Sequence, residues 1–470
     1  MKLCLLFQLA IVAVTAGFFE SVSARDEKEK SAGPVSYYNQ IRPLFQAKCQ
    51  GCHQPAKQGG EYVMTEFDSL LAGGETGAPA VVPGKPEESH LIEVILPENG
   101  TAEMPKNDSP FSVAEIELIK KWITEGARND TPRNASTRFD MDHPPTYRVA
   151  PQVTTVDFSP DGKLLAVSGY HEVLVFETGN WSLKFRLVGL SERIESAIFS
   201  PDGKQLAVAG GSPGRRGEIQ VWDIEKKKLH LSRGLLYDTL YGASWSPDGK
   251  LIAFGCPDNT VRAISVETGK QVLFNGTHNG WVTDTTFGLK AEHVVSVSRD
   301  MSVKLIEFKT QRFMDNITSI TPGALKGGLY AVDRHPTKNE IACGGADGVP
   351  KIYRMIRDKK RVIGDDHNLI RKFGSLMGRV YDVKYNADAS QLVACSSLDG
   401  KGELKVFNVA DAKELVRIEL ADGGLFTCDF APDGKTVVTG GFDGKLRVID
   451  IEKKQIVKIF TPAPLEVASK

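Results

Sequence analysis

Residues 153–177 read VTTVDFSPDGKLLAVSGYHEVLVFE, and this stretch decides the fold. A turn, Ser159-Pro-Asp-Gly162, separates two short runs at strand period from the run before it. Proline presets φ in that turn, aspartate bonds its own backbone, and glycine takes the corner where φ is positive. The unit then returns. Near-identical turns stand at Ser200-Pro-Asp-Gly203, Ser246-Pro-Asp-Gly249 and Ala431-Pro-Asp-Gly434. After them come LLAVS 164–168, QLAVA 205–209, LIAFG 251–255 and TVVTG 436–440. The next strand is the most legible: VLVFE 173–177, IQVWD 219–223, VRAIS 261–265, VKLIE 303–307, PKIYR 350–354, LKVFN 404–408 and LRVID 446–450. These seven copies start 42 to 54 residues apart. A fourth strand follows each, as at 455–460. Four short strands repeated every ~40–45 residues mark the blade of a β-propeller. One such sheet cannot bury both faces, whereas a closed ring of them can. The expected fold of residues 153–461 is an all-β seven-bladed propeller in which each copy owns its four strands.

Trp222-Asp223 is the one literal W-D pair. With the period and the turn chemistry, it makes residues 153–461 resemble a divergent WD40 propeller. The resemblance implies a structural hydrogen-bond network at His278, Ser298 and Asp300, and a surface for protein docking.

Upstream the period changes. Val35, Tyr38, Ile41 and Phe45 recur at helical spacing. A helix is expected over 112–125, with Ser112 and Glu115 as a capping box and Gly126 as its stop. Between these helices lies Cys49-Gln50-Gly51-Cys52-His53, a C-x-x-C-H motif whose spacing matches haem c attachment. Two thiols add to the haem vinyl groups, and the adjacent histidine is held beneath the iron. A zinc site would need two further ligands nearby, and no second C-x-x-C exists. A thioredoxin-like site would need a βαβ context, which is absent. Met104, in Ala102-Glu-Met-Pro105, is the candidate sixth ligand: it lies in a loop just before the capped helix, and a thioether raises the iron potential. Met64 reads as a packing residue, and His90 as an alternative that would give a bis-histidine site.

Tyr38-Asn-Gln-Ile41-Arg-Pro-Leu-Phe45, the C-x-x-C-H, Val82-Pro-Gly84-Lys-Pro-Glu-Glu-Ser89-His-Leu91, Met104-Pro105 and Trp122-Ile-Thr-Glu-Gly126-Ala together resemble the planctomycete-type cytochrome c domain. The resemblance implies an all-α haem domain over 35–130. It also implies one covalent haem c on Cys49 and Cys52, with His53 and Met104 as axial iron ligands. This chain has Met104-Pro105-Lys106 where a common form of the loop is M-P-P.

The N-terminus reads as an export signal over residues 1–24. Lys2 supplies the positive start, 3–19 is apolar apart from Gln8 and Thr15, and Val22-Ser23-Ala24 offers small residues for cleavage. No later segment is apolar enough to span a membrane. Residues 131–152 read as a linker, or a strap over the propeller. Within it Asp140, Asp142 and His143 read as polarity rather than a metal site. Arg215-Arg216 read as a solvated loop, with docking of an acidic partner as the alternative. Cys256, Cys343, Cys395 and Cys428 show no disulfide spacing, and Cys343 and Cys395, near the ends of matching strands, are expected to be buried free thiols. The formal net charge is −1, which argues against nucleic acid as a partner.

The chain therefore reads as multidomain: an exported c-type cytochrome that transfers electrons to or from a redox partner protein, with a propeller for docking. Electron carriage is expected rather than catalysis. Two alternatives stand beside it, an oxidoreductase with a catalytic centre in the propeller and a scaffold with structural haem. No histidines converge in the propeller, which counts against the first.

Overall fold

The computed structural model describes residues 33–466 apart from 107, 133–138, 320–325 and 363, so the expected export signal lies outside the described residues. The N-terminal part is mainly helical. A π-helical turn at Tyr37–Ile41 leads into α1 (Arg42–Lys48). The short strands β1 (His53–Gln54) and β2 (Lys57–Gln58) pair as a hairpin, a departure from the expected all-helical domain. Then come α2 (Phe67–Ala72), α3 (His90–Ile95) and α4 (Val113–Thr124). The capping box forms as expected: the Ser112 hydroxyl accepts from the Glu115 N–H, and the Glu115 carboxylate accepts from the Ser112 N–H at 2.7 Å. Gly126, at φ 95°, lets the chain leave the helix in the left-handed region.

The core of this part is built on Trp122, which is fully buried. Tyr37 stacks on it at 5.5 Å, and Phe45 and Phe67 meet it edge-on. The expected apolar face included Tyr38; the structure buries Tyr37 instead and leaves Tyr38 partly exposed. The π turn explains this. The Ile41 N–H bonds back to the Ser36 carbonyl, five residues earlier, and the wider turn shifts the buried stripe by one position.

From residue 156 the structure is all antiparallel strands. β3 (Val156–Phe158), β4 (Leu164–Ser168), β5 (Tyr170–Glu177), β6 (Ser182–Phe199), β7 (Gln205–Ser212), β8 (Arg216–Asp223) and β9 (Lys228–Leu236) form one seven-stranded sheet in chain order. Five four-stranded sheets follow, over residues 241–275, 282–316, 329–372, 379–420 and 425–460. Each has the four-stranded antiparallel form expected of a propeller blade. All seven quoted repeat strands form within one residue of the expected limits or inside a longer strand. In the turns, the Ser159 hydroxyl donates to Asp161 at 2.7 Å and accepts from the Leu164 N–H at 2.9 Å, tying the turn to the strand after it. Ser200 and Ser246 repeat this pattern. Ala431 lacks the hydroxyl, and there Asp433 accepts from the Lys435 and Thr436 N–H groups.

Aspartates stitch successive repeats together. Asp157 accepts from the Phe199 N–H at 2.7 Å, Asp284 from Val332 at 2.9 Å, Asp333 from Tyr385 at 2.8 Å, and Asp382 from Cys428 at 3.0 Å. Asp429, in the last sheet, accepts from the N–H of Phe158 in β3 at 2.8 Å, which joins the end of the repeat region to its start. Tyr147 and Leu465 add a parallel bridge there, and Tyr147 is buried against Glu172 of β5. Thus part of the expected linker lies on the first sheet. Among the described residues no helix is long and apolar enough to cross a membrane.

Candidate functional site

The C-x-x-C-H loop begins where α1 ends. The Cys49 N–H still bonds to the Phe45 carbonyl at 2.8 Å, and the Cys52 and His53 N–H groups both turn back to the Cys49 carbonyl at 3.0 and 3.2 Å. Gln50 is buried and holds the loop from inside, donating to the Met64 carbonyl at 3.0 Å while its own carbonyl accepts from the Gln54 side chain at 2.9 Å. Sequence reasoning missed this role, because the two central positions of the motif carry no chemistry of their own. Both thiols are free; Cys52 is exposed and Cys49 packs against the helical core. Burial pushes the Cys49 thiol up to about 12.

His53 lies in β1, its ring 5.2 Å from that of Tyr62. Burial holds its basicity below the usual range, partly offset by the Gly59 and Tyr62 carbonyls, so the ring is neutral at pH 7. Its Nδ1 is buried without a hydrogen bond of good geometry. Gly59 closes the loop from below: a Cβ there would stand 3.2 Å from the Cys52 carbonyl oxygen and 3.7 Å from His53 Cε1. Met104 packs, partly buried, against the same core as Cys49, and its N–H bonds to the Val94 carbonyl at 2.9 Å. Met64 is enclosed in that core at 1% exposure, consistent with packing. His90 turns to Glu93 at 2.9 Å on the surface of α3.

These residues fit a covalently bound haem. Two unbonded thiols, an imidazole with an unpartnered ring nitrogen and a thioether that packs on the same apolar core as Cys49 are the donor set that group requires.

The propeller reaches this site. The Ser232 carbonyl in β9 fills the place a side chain on Gly51 would take, and Lys57 donates to the His230 carbonyl at 2.8 Å. Arg233 pairs with Asp108 at 2.8 Å. Behind Ser232 lies a buried polar network. Glu218, fully buried, accepts from Ser191 at 2.6 Å, Arg216 at 2.9 Å, Gln220 at 2.9 Å and the Ser232 hydroxyl. Arg216, expected in a solvated loop, is 5% exposed and committed to Glu218; only Arg215 is exposed, near Glu192. A separate cleft of about 1120 Å³ opens between the two parts, lined among others by Tyr38, Gln50, His171 and Arg216, and it contains none of the four candidate ligands.

The remaining expectations resolve locally. His278 Nδ1 meets Asp300 at 2.9 Å, and the Ser298 hydroxyl accepts from the Asp300 N–H at 3.0 Å and donates to the Gly280 carbonyl, so the three expected residues share one network, which Ser296 extends by meeting Nε2 at 2.8 Å. Asp140 accepts from the His143 and Asp142 N–H groups in a local turn. Among the described residues no group of three or more His, Cys, Asp or Glu is placed to hold a metal ion. Cys256, Cys343, Cys395 and Cys428 are buried free thiols.

Comparison with known proteins agrees with this division. Helices and motif are those of a cytochrome c domain, a domain type that binds haem c, followed by WD40 repeats. The particular type follows from the family models: residues 49–108 match that of the Planctomycete cytochrome C, and residues 145–175 and 416–450 match the WD domain, G-beta repeat. Residues 237–311 match the Anaphase-promoting complex subunit 4 WD40 domain. Curated relatives include Periodic tryptophan protein 2 of Arabidopsis thaliana, 23% identical over 50% of this chain and 24% of that protein. The Periodic tryptophan protein 2 homolog of Dictyostelium discoideum is 21% identical over 65% of this chain and 31% of its own length. Eukaryotic translation initiation factor 3 subunit I of Candida glabrata is 21% identical over 45% and 48%. The chain thus spans between a quarter and a half of the length of these relatives. WD40 repeats in general mediate protein–protein interactions.

Proposed function

We propose that this protein is an exported c-type cytochrome that transfers electrons through one covalently held haem and uses its propeller to dock a redox partner protein. Cys49 and Cys52 would carry the thioether bonds, and His53 and Met104 would be the axial ligands. The haem domain would span 35–130 and the propeller 153–461, joined by 131–152. One observation carries the reading: the C-x-x-C-H loop, with two free thiols and a His53 ring whose basicity burial lowers, lies within the matched cytochrome segment, and Cys49 and Met104 pack against the same apolar core. When bound, the group supplies a one-electron iron couple. His53 and Met104 would both hold the iron, leaving it no open place for a substrate, beside a core that encloses Phe45, Met64 and Trp122. The cytochrome domain also supports an extracytoplasmic location.

The strand pattern supports a ring of seven blades. The eighteen-residue β6 pairs with β5 along its first half and with β7 along its second. It reads as the outer strand of one blade running into the inner strand of the next. Counted so, the seven-stranded sheet is two blades, and five more close on the first through Asp429 and Phe158.

The test is to express the chain in cells competent in cytochrome maturation and record its mass and spectrum. The expected result is one haem adduct, a reversible midpoint potential, and the weak long-wavelength ferric band of thioether ligation, lost in Met104→Ala. Colourless protein with both thiols unmodified would overturn the assignment.

A further inference from the structure

Strand β9 is the edge of the seven-stranded sheet, and the haem domain rather than solvent covers its free side. The contacts along it fall on both ligand-bearing loops. The His230 and Ser232 carbonyls meet Lys57 and Gly51, on the cysteine loop. At Gly234 an added Cβ would stand 3.0 Å from the Gln46 carbonyl oxygen, at the end of α1. Arg233 reaches a different segment, pairing at 2.8 Å with Asp108, four residues beyond Met104. Both side chains of that pair are largely shielded, at 20% and 17% exposure. The Arg233 guanidinium and the Ser109 N–H hold the Asp108 carboxyl below its usual range, although burial opposes them. From within the haem domain, Lys48, which directly precedes Cys49, donates to the Ser109 and Pro110 carbonyls at 3.2 and 3.1 Å. The chain after Met104 is therefore tied at one point to the cysteine helix and at another to the propeller.

We propose that Arg233 is a positioning residue for Met104: through Asp108, the propeller holds the loop that presents the thioether. This rests on the proposed ligation by Met104. A loop that presents a ligand loses it whenever the loop can swing away, and the free energy that opposes the swing lies in the loop's anchors. A charge-assisted bond that is shielded from water is a strong anchor for this segment. The propeller then has a second task besides docking, because it sets how firmly the sixth ligand is held.

The test uses the full mature chain and imidazole as a competing ligand, read as loss of the thioether band. In Arg233→Gln the apparent affinity for imidazole is expected to rise about tenfold, the effect of losing one hydrogen bond between charged groups. Asp108→Asn should give the same rise, the double variant no more than either single change, and Arg233→Lys should recover most of the parent behaviour. If Arg233→Gln fails to fold, Asp108→Asn carries the test. Imidazole affinity equal to the parent's in both single variants, or effects that simply add in the double, would overturn the proposal while leaving Met104 as ligand. Absence of the band from the parent would instead overturn Met104 itself.

Discussion

The carbonyl oxygen of Ser232 occupies the space that a Cβ on Gly51 would need; even the carbonyl carbon behind it would lie only 3.2 Å away. A glycine in the middle of the C-x-x-C-H loop is thus explained by the propeller, not by haem attachment. Gly51→Ala is expected to overpack the seam and cost about 1–3 kcal/mol. Scanning calorimetry of the matured protein should show a lower midpoint, with haem content unchanged because the three attachment residues are untouched. An unchanged midpoint would mean that the two parts do not meet at this contact.

Behind Ser232, Glu218 collects four donors with no exposure to water. Glu218→Ala strands the Arg216 guanidinium, itself 5% exposed, without its counter-charge. Breaking one side of such a buried pair costs about 3–5 kcal/mol. Thermal unfolding should show the loss, and a variant that replaces both partners, Arg216→Met with Glu218→Leu, should recover only the part due to the stranded charge, since Ser191, Gln220 and Ser232 still lose their acceptor.

Much of this architecture was legible in the sequence because it is written in local chemistry. The Ser-Pro-Asp-Gly turns, the strand period, the capping box at Ser112 and the C-x-x-C-H motif each depend on residues within a few positions of one another. What escaped was either a change of local phase or a contact across the chain. The π turn that buries Tyr37 in place of Tyr38 adds one residue to a helical turn, and apolar spacing alone does not record it. Arg216 looked solvated because Glu218 was not expected to be buried beside it. The Arg233–Asp108 pair joins residues far apart in the sequence, and neither residue belongs to a motif. The network of His278, Ser298 and Asp300 was legible, but not that Ser296, on the same strand as Ser298, also meets the ring.

The stitching aspartates give the propeller a pH dependence. Burial pushes Asp284 up to about 7 against the pull of Lys384 and the Val332 N–H, and Asp157 likewise to about 7. An unfolded aspartate titrates near 3.9, so between about pH 4 and 7 the native state holds protons that the unfolded chain has released. Stability should fall as pH rises through that window and level off above it. Asp284→Asn keeps an oxygen for the Val332 N–H but cannot ionise. It is expected to flatten this slope and raise the thermal midpoint at pH 8 by roughly 2–4 °C. A midpoint lower than the parent's at pH 8 would show that the charge is needed there.

Lys384 is the counterpart of those carboxylates. Burial alone would lower its pKa, yet Asp382, Asp333, Asp429 and Asp284 together raise it well above the ordinary value. Its position corresponds to that of Asp157 and Asp429 in other sheets, one residue before the aromatic that ends the inner strand, so a cation replaces an anion at one point in the repeat. Lys384→Met keeps the bulk and removes the charge, leaving the surrounding aspartates to repel one another in a poorly solvated space. The expected cost is about 3–5 kcal/mol at pH 8. The same variant should lose far less at pH 5, where the aspartates with raised pKa have taken up protons and no longer need a cation. Denaturant titration at the two pH values measures the difference directly. An equal loss at both would show that the lysine acts by packing its aliphatic stem and not through its charge.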